Sequence, residues 1–163
     1  MQRDHVELLF ARYREPVYRF LRRRLRDRAA AEDLTQDTFV RALGAAYRAD
    51  GRERGWVFQI ARNLARDYAR VGVRRPPTVE FEDGAAAAAD HALALDIESA
   101  LAGLSDDDRE IFLLRETGGL SYAEIAGACA ITPDAVRSRI HRARLALRAA
   151  LSPAPAAYER RTS

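Results

Sequence analysis

Apolar residues recur three and four positions apart along most of the chain, and nowhere does a β-branched run alternate with polar residues as a strand would require. The segments are rich in Ala, Leu and Arg, all good helix formers, so the chain reads as all-α. The first two helices are expected at Asp4 to about Tyr13 and Pro16 to about Arg26, with Pro16 in a first turn, where a missing N–H is tolerated. A third is expected over Ala31 to Ala46 and a fourth over Trp56 to Val71, separated by a polar loop, Arg48 to Gly55, punctuated by Gly51 and Gly55. From Arg74 the sequence runs RRPPTVEFEDGAAAAAD, with paired prolines, acidic residues and an alanine tract lacking an amphipathic period, which reads as a linker over 74–90. Helical patterning resumes at His91 to Leu101, then Ser105 to Thr117, Tyr122 to Ala128 and Pro133 to about Leu151. Residues 152–163 have no core-forming pattern and read as a disordered tail. The expected architecture is two small helical domains, 1–73 and 91–151, joined by a flexible acidic linker, the second a helix-turn-helix.

Charge changes this picture more than composition does. All 27 basic residues are arginine, which suits phosphate and guanine edges but equally follows from a GC-rich coding sequence. The net charge of +3 hides a strong division: +8 over residues 1–75, −9 over 76–108 and +4 over 109–163. Two basic blocks flanking an acidic segment fit a nucleic-acid binder whose tether keeps off DNA. Cys129 is the only cysteine, so no intramolecular disulfide or cysteine-based zinc cluster can form. No apolar run reaches the roughly 18 residues of a membrane span and the first residues are polar, so a cytoplasmic protein without membrane insertion is expected.

Three constellations carry candidate chemistry. In Ser121 to Arg144, SYAEIAGACAITPDAVRSRIHRAR, a short amphipathic helix is followed by a tight turn and a longer helix opened by Thr132 and Pro133, which is helix-turn-helix spacing. Val136, Ile140, Ala143 and Leu147 share one face of that longer helix, leaving Asp134, Arg137, Ser138, His141 and Arg142 opposite, as base-edge and phosphate contacts require. In the third helix Glu32, Asp33, Gln36 and Asp37 form an acidic stripe opposite Ala31, Leu34, Thr35, Thr38 and Ala42, with Val40 projecting into the stripe as an apolar residue suited to a protein interface. In the fourth, Trp56, Val57, Ile60, Leu64, Tyr68 and Val71 read as core, while Gln59, Arg62, Arg66 and Arg70 form a basic ridge with Asn63 at its edge. Phe58 falls beside Arg62, where an aromatic either packs on a neighbouring loop or stacks on an unpaired base. No nucleophile motif accompanies the carboxylates, and the three histidines are scattered, so no catalytic, cofactor or metal site is expected.

Taken together, AEDLTQDTFVRAL at Ala31 to Leu43, WVFQIARNLARDYAR at Trp56 to Arg70 and VRSRIHRAR at Val136 to Arg144 resemble the extracytoplasmic-function (ECF) sigma factors, in the same order and spacing and over nearly all of Asp4 to Leu151. The resemblance implies a non-enzymatic subunit that binds bacterial core RNA polymerase at the β′ clamp coiled coil and β flap and directs promoter-specific initiation. It assigns Glu32, Asp33, Gln36, Asp37 and Val40 to the clamp contact. It assigns Phe58, Gln59, Arg62, Asn63 and Arg66 to the melted minus-ten strand, and Asp134, Arg137, Ser138, His141 and Arg142 to the minus-thirty-five duplex. An anti-sigma partner is also implied. Cys129 and Ala130 depart from the Leu and Gly that the family often places before the turn; alanine suits the position only if its φ is negative. The alternative from the residues alone is a stand-alone helix-turn-helix regulator on duplex operators, which would leave the acidic stripe unused.

Overall fold

The structure, a computed structural model, describes residues 2–45, 50–72 and 88–152, and every regular element among them is a helix. Helix α1 spans Gln2–Leu25 and runs straight through Pro16, where two helices were expected. A proline in mid-helix forfeits one hydrogen bond and crowds the preceding turn. Here Val6, Leu9, Val17, Phe20 and Leu21 form one buried stripe across the proline, and their burial holds the axis together. Helix α2, Arg28–Gly44, starts three residues earlier than expected because Asp27 caps it, its carboxylate accepting from Ala30 N–H at 3.1 Å. Its buried face carries Ala31, Thr35, Thr38 and Ala42 as expected, and Phe39 as well. The two buried threonines donate to the carbonyls of Ala31 and Leu34, each at 2.7 Å, so neither leaves a hydroxyl unpaired. Helix α3, Glu53–Val71, begins inside the segment expected to be loop and packs with α1 and α2 as a three-helix unit.

The second unit comprises α4 (Ala88–Ala102), α5 (Asp106–Glu116), α6 (Tyr122–Cys129) and α7 (Pro133–Leu151), with α7 packing on the other three. Of the expected linker, 74–87 lies outside the described residues and 88–90 already belongs to α4; residues 153–163 of the expected tail, 48–49 of the expected loop and 46 of the expected third helix also lie outside them. Each boundary of the helix-turn-helix is set locally. Ser121 and Glu124 close a reciprocal capping box on α6, and the Thr132 hydroxyl accepts from Ala135 N–H at 3.1 Å to start α7 at Pro133.

Between these helices Ala130 adopts the left-handed region at φ +54°, so the condition under which alanine would be comfortable there is not met. A left-handed alanine costs roughly 1–2 kcal/mol, part of which glycine would return through its freer unfolded chain. Ala130→Gly is therefore expected to stabilise the protein by about 0.5–1 kcal/mol. The check is a higher urea midpoint with an unchanged slope; an unaltered midpoint would mean that the turn relaxes around alanine.

The two units share one apolar core. Helix α3 lies between them, against α1 and α2 on one side and α6 on the other, while α1 also meets α5. That position explains why Ala61 and Ala65, off the expected core face, are buried alongside Val57 and Leu64. The last turn of α3 departs from the expectation in the opposite sense. Val71 is 85% exposed and Tyr68 lies at the surface, its hydroxyl 3.4 Å from the Asp27 carboxylate at the start of α2.

Candidate nucleic-acid and protein interfaces

On α7, Val136, Ile140 and Ala143 are buried and Leu147 is half-buried, which anchors the helix and leaves Asp134, Arg137, Ser138, His141 and Arg142 all exposed along the outer face. Arg137 pairs with Asp134 at 3.2 Å, one turn away, and Arg142 reaches Asp108 of α5 at 3.4 Å. The face thus offers donors and acceptors near the helix start on a rigidly docked helix, the arrangement needed to read a major groove.

On α2, Glu32, Asp33, Gln36 and Asp37 are exposed on the side away from the core, and Val40 among them is 63% exposed. Arg28 pairs with Glu32 at 3.2 Å across one turn, an exposed pair that adds little to stability. An exposed valine framed by carboxylates is poorly served by water and well served by a partner surface with basic and apolar groups.

Along α3 the structure separates residues that the sequence grouped. Gln59, Asn63 and Arg66 are exposed. Phe58, assigned to the minus-ten strand by resemblance, is instead a core residue with no exposed surface. Its ring meets Phe20 edge-on, with centroids 5.9 Å apart, and abuts the turn after α5 so closely that a Cβ on Gly118 would lie 2.9 Å from it. The packing alternative therefore holds for Phe58, because the second unit covers that side of α3. Arg62 is also largely covered, its side chain 11% exposed and its Nε 3.1 Å from Glu110 of α5.

Two carboxylates that the sequence reading passed over organise this contact. Glu110 is 1% exposed and receives both Arg62 and Arg66, the latter at 3.5 Å. Its place on the stripe with Leu113 and Leu114 was the available signal, since a charge on the apolar face of a helix implies a buried partner. Glu124, already used in the capping box, also takes a bidentate pair of hydrogen bonds from Arg54 at 3.0 and 2.9 Å.

Burial pushes the Glu124 carboxyl up, but the hydrogen bonds from Arg54 and from Ser121 outweigh it and hold it below its ordinary value; the same bond holds the Arg54 guanidinium above its own. A carboxyl depressed in the folded state contributes stability that is complete above the usual glutamate range and is lost as pH falls through the depressed value. The stability gap between wild type and Glu124→Gln should therefore narrow below about pH 4. Urea titrations at neutral and acid pH read that gap, and one that stays constant would contradict the assignment.

Among the described residues, no group of three or more His, Cys, Asp or Glu is placed to hold a metal ion, and no helix is long and apolar enough to cross a membrane.

Residues 9–75 match the family Sigma-70 region 2 and residues 94–147 match Sigma-70, region 4. The chain is 36% identical over 156 residues to the ECF RNA polymerase sigma factor SigC of Mycobacterium tuberculosis, covering 91% of this chain and 84% of that protein. It is 35% identical over 171 residues to the RNA polymerase sigma-H factor of Pseudomonas aeruginosa, covering 90% and 86%. Among solved structures it resembles CnrH in complex with the cytosolic domain of CnrY, with a TM-score of 0.72, 31% identity and 90% and 87% of the two chains covered. The fold also matches RpoE of Bartonella quintana, solved with the anti-sigma factor NepR, at a TM-score of 0.70, 24% identity and 89% and 95% coverage. With both sigma regions present in order and relatives matched along most of their length, the chain belongs to the ECF RNA polymerase sigma factors.

Proposed function

We propose that this sigma factor joins bacterial core RNA polymerase through the exposed stripe of α2 and then selects a two-part promoter with α3 and α7. The observation that carries the reading is the α2 surface, where Glu32, Asp33, Gln36 and Asp37 surround an exposed Val40 on a helix whose other face is fully packed. Gln59, Arg62, Asn63 and Arg66 hold the melted minus-ten strand by backbone charge and base edges. Asp134, Arg137, Ser138, His141 and Arg142 read the minus-thirty-five duplex in the major groove. Phe58 supports this site from within the core and makes no contact with the strand. The first domain ends near 73, the second begins with α4 at Ala88, and the intervening acidic tether spaces the two promoter elements.

The chain performs no bond chemistry, since core polymerase supplies the active site. It works in the cytoplasm. The two structural neighbours were solved with protein partners, CnrY and the anti-sigma factor NepR, and a partner of the same type is proposed to hold this chain away from polymerase.

The test is DNA binding with and without core polymerase. A footprint over two short elements that needs both proteins supports the reading. Tight duplex binding by the chain alone, unaffected by core, would favour the stand-alone regulator instead.

A further inference from the structure

The outer face of α7 is edged on both sides by arginines that α5 holds from below. With about 3.6 residues per turn, Arg139 and Arg142 border the buried stripe of Val136, Ile140 and Ala143 on one side, and Arg137 and Arg144 border it on the other. Asp108, near the start of α5, takes both arginines of the first flank, Arg139 at 3.5 Å and Arg142 at 3.4 Å, and Arg139 also meets Asp107 at 3.7 Å. Glu116, the last residue of α5, takes Arg144 of the second flank at 3.1 Å. Helix α5 therefore crosses under α7 with an acid at each edge. Resting on the duplex reading proposed above, we infer that Arg139, Arg142 and Arg144 form a two-sided phosphate clamp around the reading face, and that Asp108 and Glu116 are the positioning residues that hold its arms.

The dimensions fit a duplex. The rise along α5 from Asp108 to Glu116 is about 12 Å, and a major groove is about 12 Å wide between its backbones. Arginines anchored over those two points straddle the groove, while Asp134, Ser138 and His141, exposed between them, face the bases. On the first flank the anchor is set back and the arm stands forward, the Asp108 side chain being 16% exposed and that of Arg142 62%. A guanidinium carries five donors in a flat fork, so one edge can rest on a carboxylate while another meets a phosphate.

These pairs contribute little to holding the fold, since exposed ion pairs are screened by solvent and restrict two long side chains. That restriction is what serves DNA binding. A free arginine gives up its rotamers when it meets a phosphate, whereas an arm already held has given them up on folding, and the binding step costs less. Two arginines on Asp108 leave a net positive charge at that edge, so the carboxylate orients them without cancelling their attraction for the backbone.

The test uses the full chain on core RNA polymerase. The wild-type complex first selects from a random-sequence duplex library, and the enriched duplex is the probe, its affinity measured over a salt series. Acids that act only through their charge repel DNA, so removing them should tighten binding. Positioning gives the opposite sign. Asp108→Asn with Glu116→Gln is expected to weaken binding about tenfold and to reduce the slope of log affinity against log salt by about 1 to 2, with base preference and urea midpoint unchanged. Asp96→Asn, which removes an exposed acid of α4, should cause no loss. Once Arg139→Gln, Arg142→Gln and Arg144→Gln are in place, the two acid substitutions should have no further effect, because they act through those side chains.

Tighter or unchanged binding by the double variant would overturn the inference, as would a loss that persists without the arginines. A loss accompanied by a lower urea midpoint and an unaltered salt slope would mark a merely structural role and overturn it equally. Failure of the underlying reading looks different: a wild-type complex that enriches no common duplex contradicts duplex reading before any variant is made, and removes the clamp with it.

Discussion

Reversing two charges on α2, Asp33→Arg with Asp37→Arg, is expected to weaken binding to core RNA polymerase by at least about 100-fold while leaving the fold intact, because like charges forced together across an interface cost several kcal/mol. Both side chains are exposed on the outer face of a helix held by Ala31, Thr35, Thr38 and Phe39 on its inner face, so the substitution touches no packing. Arginine is also a good helix former, and α2 keeps its Asp27 cap. Circular dichroism should match wild type and gel filtration with core polymerase should show two separate peaks. Co-elution of the double variant at wild-type strength would place the polymerase contact elsewhere.

Phe58→Ala should cost about 3–5 kcal/mol of stability, the range for deleting a buried aromatic ring. The ring touches α1 through Phe20 and the turn after α5 at Gly118, so its loss opens a cavity where both units meet. Against a total of about 5–15 kcal/mol, such a loss would leave the chain near its unfolding threshold. A residue whose task was to stack on a base would behave otherwise, with an unchanged urea midpoint and weakened strand binding. The two measurements together decide between core and contact.

Local features of the sequence were the most legible. The start of α7 follows from Thr132 and Pro133, the cap acting within three residues of its partner, and the buried stripe of α7 follows from its period. The outer faces of α2 and α7 were legible for the same reason, as complements of regular apolar stripes. Pro16 misled because its local preference for a first turn was overridden by a tertiary stripe that continues across it. Phe58 and Glu110 could not be placed from α3 or α5 alone. Their burial depends on a neighbour 48 to 60 residues away in sequence, through Arg62 with Glu110 and Phe58 with Gly118, and periodicity reports a helix's own faces but not what covers them. The strain at Ala130 was visible only as a condition on φ, which a sequence cannot supply.

The most direct test of the central claim is transcription reconstituted from core RNA polymerase, this chain and fragmented DNA from its own source. The account predicts transcripts with discrete start sites that appear only when both proteins are present, each preceded by the same pair of short elements. Start sites that are unchanged when the chain is omitted, with no complex between the chain and core, would contradict it.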